Sequence, residues 1–90
     1  MVNQQANNMR TGQVTFYRWA VYQVQIRSND TFTAQEFSNN ANLKFAVIID
    51  NDTGEEYDCT YLNNVVTFSQ QGILALQDCT IFLYGRRAQP

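Results

Sequence analysis

The longest alternation in the chain lies between Val14 and Ile26. Val14, Phe16, Arg18, Ala20, Tyr22, Val24 and Ile26 alternate with Thr15, Tyr17, Trp19, Val21, Gln23 and Gln25. A period of two sends successive side chains to opposite faces of a strand. β-branched and aromatic residues suit such a pleated surface. The first set is the better core face, apart from Arg18. Tyr17 and Trp19 then point the other way, toward a second layer or a partner. So long a strand is expected to bend or bulge near residues 18–20, which would change the buried face.

The rest of the chain continues the β pattern. SND at 28–30 signals a turn. In TFTAQEFSNNAN, Thr33 and Glu36 have capping-box spacing, which fits one helical turn at 34–38. The alternation of Phe32, Ala34 and Glu36 fits a short strand equally well, and the two readings stay open. LKFAVIID at 43–50 is the clearest strand. Leu43, Phe45, Val47 and Ile49 form one apolar face, and Ala46 and Ile48 make the other apolar too, as in a central strand. NDTGE turns the chain, with Gly54 free to take positive φ. EYDCTYL at 56–62 is expected to return as the partner strand, and Asn63–Asn64 as a tight turn. NVVTFS supplies Val66 and Phe68 to the core. QQG breaks the pattern, and ILALQD at 73–78 is short, apolar and ambiguous. CTIFLYGRR closes the chain, with Cys79, Ile81 and Leu83 on one face and Thr80, Phe82 and Tyr84 on the other. It too reads as a strand buried on both sides.

Together these segments predict an all-β domain, a small antiparallel sandwich or barrel of about five to seven strands. Residues 1–12 are polar and aperiodic and read as an extended N-terminal arm that orders against a neighbour. Residues 13–87 form the single β domain, and 88–90 a C-terminal tail. The only proline is Pro90, so no strand interior is interrupted.

With 90 residues, one domain is the ceiling. A chain this short buries only roughly 60–65% of the surface it exposes when unfolded. Its stability alone is expected to be modest, and association would raise it. The net charge is −2, and among six Lys/Arg residues only Arg86 and Arg87 are adjacent. No basic face is legible, so nucleic acid is not an expected partner. No apolar run approaches the roughly 20 residues of a membrane helix, and no membrane partner is expected. MVNQQANNMR lacks the apolar core of a signal peptide, so synthesis in a cytoplasm is expected. Asn and Gln occur ten times each, while charged residues make up only 16% of the chain. Uncharged amides cost less to desolvate than ions, which suits a surface covered by neighbours.

The chemistry points away from catalysis. The chain has no histidine. Ser–His–Asp and Cys–His catalysis in their usual form therefore need a residue it lacks. Two cysteines alone do not complete a four-cysteine zinc site. No glycine-rich phosphate loop occurs. Asp50, Asp52, Glu55, Glu56 and Asp58 cluster about a glycine turn. DNDTG resembles the start of a calcium loop, but the glycine comes one position early and Tyr61 falls where the last ligand belongs. A solvated hairpin tip is the plainer reading. We expect no catalytic residues, no metal and no cofactor. Cys59 and Cys79, each in a DCT tripeptide, read as buried thiols, with a disulfide as the alternative.

The stretch NLKFAVIIDNDTGEEYDCTYLNNVVTFS, the break at QQG and the closing CTIFLYGRR resemble the small β domains that begin podophage tail fibres and tailspikes. Tyr57 to Phe68 match that family's middle element, and Ile81 to Arg86 its closing strand. The resemblance covers about half the chain and is one of strand and turn pattern. It implies attachment to a virion, as a decoration, head-fibre or tail-adaptor subunit made in a bacterial host. Other virion proteins and further copies of the chain, a trimer among the options, are the implied partners. The sequence here ends soon after the closing strand, and residues 13–41 depart from the pattern. Receptor binding and glycan cleavage are therefore not implied. If assembly is the role, Met9, Arg10, Tyr17, Trp19, Arg86 and Arg87 are the expected interface residues, the arginines through a neighbour's carboxylates. The alternatives are a soluble carbohydrate- or protein-binding β module, using Tyr17, Trp19, Tyr22 and Tyr61, and a small inhibitor or regulator.

Overall fold

A computed structural model describes residues 2–4, 6–14, 17–35, 37 and 43–86. They form nine strands: β1 (Asn3–Gln4), β2 (Ala6–Val14), β3 (Tyr17–Ile26), β4 (Thr31–Thr33), β5 (Leu43–Asp50), β6 (Glu56–Tyr57), β7 (Cys59–Leu62), β8 (Val65–Phe68) and β9 (Gln77–Arg86). Two sheets pack as a small sandwich. One has the order β1-β4-β8-β7, the other β2-β3-β9-β5-β6. All described pairings are antiparallel except β1 with β4.

The core lies between the sheets. The five-stranded sheet contributes Ala20, Tyr22, Val24 and Ile26 from β3, Cys79, Ile81 and Leu83 from β9, Leu43 and Ile48 from β5, and Tyr57 from β6. The four-stranded sheet answers with Phe32, Val66 and Phe68. The rings of Tyr22 and Phe32 meet edge-on with centroids 4.7 Å apart, and those of Tyr57 and Phe68 at 5.2 Å. Edge-to-face contacts of this kind match a ring's positive rim to its neighbour's negative face.

Of the two readings of residues 31–38, the strand is found at its start, while Glu36 and Ser38, on which the helical turn depends, lie outside the described residues. Thr31–Thr33 is a strand, and a turn follows in which Phe37 N–H donates to Ala34 C=O. Asn64, buried at the β7–β8 turn, donates its side-chain amide to Phe37 C=O at 2.9 Å and pins that turn. Asn63 takes φ 55, the left-handed conformation expected of it.

Four details correct the sequence reading. First, β3 has no bulge at residues 18–20; it runs in unbroken register from Tyr17–Arg86 to Ile26–Gln77. The irregularity falls in its neighbour, between Asn8 and Arg10 of β2. Second, Leu43 does not share a face with Phe45, Val47 and Ile49. A register shift at Lys44 turns Leu43 inward, alongside Ile48. One extra residue reverses the alternation. Third, residues 56–62 are not one strand. Glu56–Tyr57 pairs with β5, and Cys59–Leu62 pairs with β8 in the other sheet. Asp58 is the corner: its carbonyl accepts from Ser69 and Gln70 N–H, and its own N–H donates to Gln70 Oε1. Fourth, the N-terminal segment is extended but hydrogen-bonded to the chain's own strands. Asn3–Gln4 pairs with β4 and Ala6–Val14 with β3. Backbone bonds hold an edge strand, so no hydrophobic periodicity is needed to make one.

Candidate interaction face

The outer face of the five-stranded sheet is unusually apolar. On β3 it carries Tyr17, Trp19, Val21, Gln23 and Gln25; on β9, Asp78, Thr80, Phe82, Tyr84 and Arg86; on β5, Phe45, Val47 and Ile49. The register lines these up in cross-strand rows. Trp19, Tyr84 and Phe45 make one row, Val21, Phe82 and Val47 the next, and Gln23, Thr80 and Ile49 the third. Phe45 is 52% exposed, Phe82 40%, Tyr84 39% and Tyr17 37%. Tyr17 and Tyr84 stack diagonally, with centroids 5.2 Å apart and planes 7° from parallel. At strand spacings of about 4.8 Å and 3.3 Å per residue, the three strands present roughly 400 Å² in projection. That area includes Gln23, Gln25, Asp78, Thr80 and Arg86; apolar patches of this order are the largest an ordinary monomer shows, and they are often functional.

Among the described residues, nothing covers this face as the second layer expected for β5 and β9. Both strands are apolar on two sides, but among the described residues only the inner side meets the second sheet. Of the expected interface residues, the structure brings Tyr17, Trp19 and Arg86 onto this one face, Arg86 directly opposite Tyr17. Met9 and Arg10 lie in β2, where Arg10 pairs with Val21; their side chains are outside the described set, as is Arg87. Tyr22 faces the core and Tyr61 lies on β7, so neither joins Tyr17 and Trp19. The residues not foreseen are Phe45, Phe82 and Tyr84. Their signal was present in the two-sided hydrophobicity of β5 and β9, read as burial by the chain itself.

The acidic hairpin does different work. Asp50 is buried, and its Oδ2 accepts from the Tyr57 hydroxyl at 2.7 Å. Its Oδ1 accepts from the N–H groups of Asp52 and Thr53 at 2.8 and 3.2 Å. The Tyr57 bond first, and then the backbone donors, hold the Asp50 carboxyl below its ordinary value of 3.8. The same bond pushes the Tyr57 hydroxyl up to about 12. With the Tyr57 hydroxyl and two backbone N–H groups directed at it, this carboxylate closes the turn. Among the described residues, no three of His, Cys, Asp and Glu come together as a metal-binding group.

Compared with known proteins, the chain matches no family model, no curated protein and no solved structure.

The cysteines are both free. Cys79 is fully buried between the sheets, and burial, with Asp50, Asp78 and Asp52 nearby, pushes its thiol up to about 12. Burial also raises the half-buried Cys59, with Glu56 and Asp58 adding to it, and its thiol lies 3.5 Å from Ala46 C=O. A raised thiol pKa means little thiolate, so neither sulfur is primed as a nucleophile.

Proposed function

We propose that this chain is a non-enzymatic assembly subunit, a structural component of a bacteriophage virion. The observation that supports an assembly role is the aromatic outer face of β3, β9 and β5. Exposed aromatic rings bring large contact area at low entropic cost, and they anchor protein interfaces more than other residue types do. The reading of the particle itself rests on the resemblance of residues 42–87 to podophage fibre-attachment domains. On this reading the chain acts by seating that face on another protein, as a decoration, head-fibre or tail-adaptor subunit.

Mass spectrometry of purified particles tests the role directly. The chain is expected at stoichiometric levels, and Phe82→Asp is expected to be excluded from particles while keeping the wild-type circular dichroism. Absence of the wild-type chain from particles would rule the reading out.

The exposed rings also suit a carbohydrate-binding module, since sugars stack on aromatic faces. Saturable binding to a glycan array by the isolated chain would favour that second reading.

A further inference from the structure

The outer face has a polarity along its strands, in both size and charge. Toward the β3 start it carries the large rings: Tyr17, Trp19, Tyr84 and Phe45. Toward the β3 end it carries Gln23, Gln25, Thr80 and Ile49, which are smaller or more flexible. Charge follows the same axis. Arg86 closes β9 at the large-ring end, and exposed Lys44 follows Leu43 at the start of β5 there. Asp78 lies at the other end, opposite Gln25, and Asp52 and Glu56 flank the hairpin that follows β5. Arg27 is the one described cation at that acidic end.

We infer that the occupant of this face is a second copy of the chain, packed face to face about a two-fold axis that runs across the strands at the level of Phe82. The inference rests on the assembly reading above and names the first partner. A two-fold in that direction stacks like strands antiparallel. Phe82 is midway between Asp78 and Arg86 on the same face of β9. The axis therefore brings Phe82 to its own counterpart, Tyr84 over Thr80, and Arg86 over Asp78. On β5 it brings Phe45 over Ile49, and on β3 Trp19 over Gln23. Away from the central row, where Val21, Phe82 and Val47 each meet their own counterpart, large side chains meet smaller ones, and each positive end meets a negative one. An axis along the strands would set ring on ring and Arg86 on Arg86. A two-fold interface must be complementary to itself, and only the crosswise axis satisfies both size and charge. Asp78 already accepts from Gln25 Nε2 at 2.9 Å through Oδ1, and a carboxylate takes further donors. Opposed charges at the two ends set the orientation of the pair as well as its affinity.

Sedimentation of the full chain across a wide concentration range is the first measurement. A concentration-dependent dimer is expected, and Phe82→Asp should be monomeric with unchanged circular dichroism. Arg86→Asp alone should weaken dimerisation about tenfold or more, and adding Asp78→Arg should recover most of the loss. In a Cys59→Ser background, Phe82→Cys should crosslink to itself under oxidation, whereas Arg86→Cys should crosslink only when mixed with Asp78→Cys. A chain monomeric at every concentration would overturn the two-fold. So would a dimer in which Arg86→Cys links to itself. If the chain is monomeric but Phe82→Asp still blocks incorporation into particles, the two-fold fails and the assembly role stands. If the wild-type chain is also missing from particles, both fail.

Discussion

Within β9, two sets of side chains of similar hydrophobicity meet different fates. Cys79, Ile81 and Leu83 are buried, while Phe82 and Tyr84 keep about 40% of their surface exposed. Neighbouring β5 repeats the contrast, with Ile48 buried and Phe45 half exposed. The two faces differ in what the rest of the chain brings to them. The inner face meets Phe32, Val66 and Phe68 of the second sheet. No described element lies over the outer one. An apolar face is thus a statement about solvent, and whether one's own chain or another molecule removes that solvent is a separate question.

The sharpest test of this contrast exchanges neighbours on β9. Ile81 is fully buried, and Ile81→Ala removes methyl groups and leaves a cavity, at a cost of about 2–5 kcal/mol. Phe82 makes mainly cross-strand contacts, which are worth about 1 kcal/mol or less in the isolated chain. Urea unfolding at low protein concentration should show Ile81→Ala as the more damaging change despite the smaller side chain removed. Equal losses would mean that the outer face is covered within the monomer.

A second test probes the inward end of β5, where the buried side is polar. Tyr57→Phe removes the hydroxyl that donates to Asp50. The Asp50 carboxyl is held below 3.8, so it contributes stability above that pH, which is lost as pH falls through the lower folded value. The Tyr57 hydroxyl is raised from 10.0 to about 12, so it contributes stability below pH 10 that is lost as pH rises through 12. Wild type should exceed Tyr57→Phe near neutrality, and the two stability curves should converge at both extremes. A constant gap across the pH range would show that the bond is not linked to either titration.

The sequence was informative where one local rule sufficed. Ala20, Tyr22, Val24 and Ile26 read as core because alternation alone fixes their face. Asn63 read as a turn because few residues accept its φ. The extra residue at Lys44 and the sheet change at Asp58 were not legible, because each depends on which strand lies alongside. For the same reason Tyr17, Trp19 and Arg86 were nameable one by one. Their alignment with Phe45, Phe82 and Tyr84 needed the register of three strands. Two-sided hydrophobicity in β5 and β9 gave the outer face away, but periodicity does not distinguish a missing layer from a missing partner.

A smaller effect measures how well ordered the outer face already is in the monomer. Tyr17 and Tyr84 stack nearly parallel across β3 and β9. Stacked aromatic pairs couple by about 0.5–1.5 kcal/mol. A double-mutant cycle with Tyr17→Leu and Tyr84→Leu should return a coupling in that range, or at its lower end because both rings are partly solvated. A coupling near zero would mean that the rings order only when something covers them.

The smallest change is expected on the inner face, and its sign is the informative part. Among the described residues, the buried Tyr22 hydroxyl has no hydrogen-bond partner, while its ring packs against Phe32. A buried donor left unmatched carries a desolvation penalty, whereas the ring's packing survives deletion of the oxygen. Tyr22→Phe should therefore leave stability unchanged or raise it by about 1 kcal/mol, unlike Tyr57→Phe, where the hydroxyl is matched. Thermal unfolding of the two variants side by side separates the cases: both remove one oxygen from a buried tyrosine, and only the one whose oxygen has a partner should lower the midpoint. A fall in both would mean that the Tyr22 hydroxyl is satisfied within the folded chain.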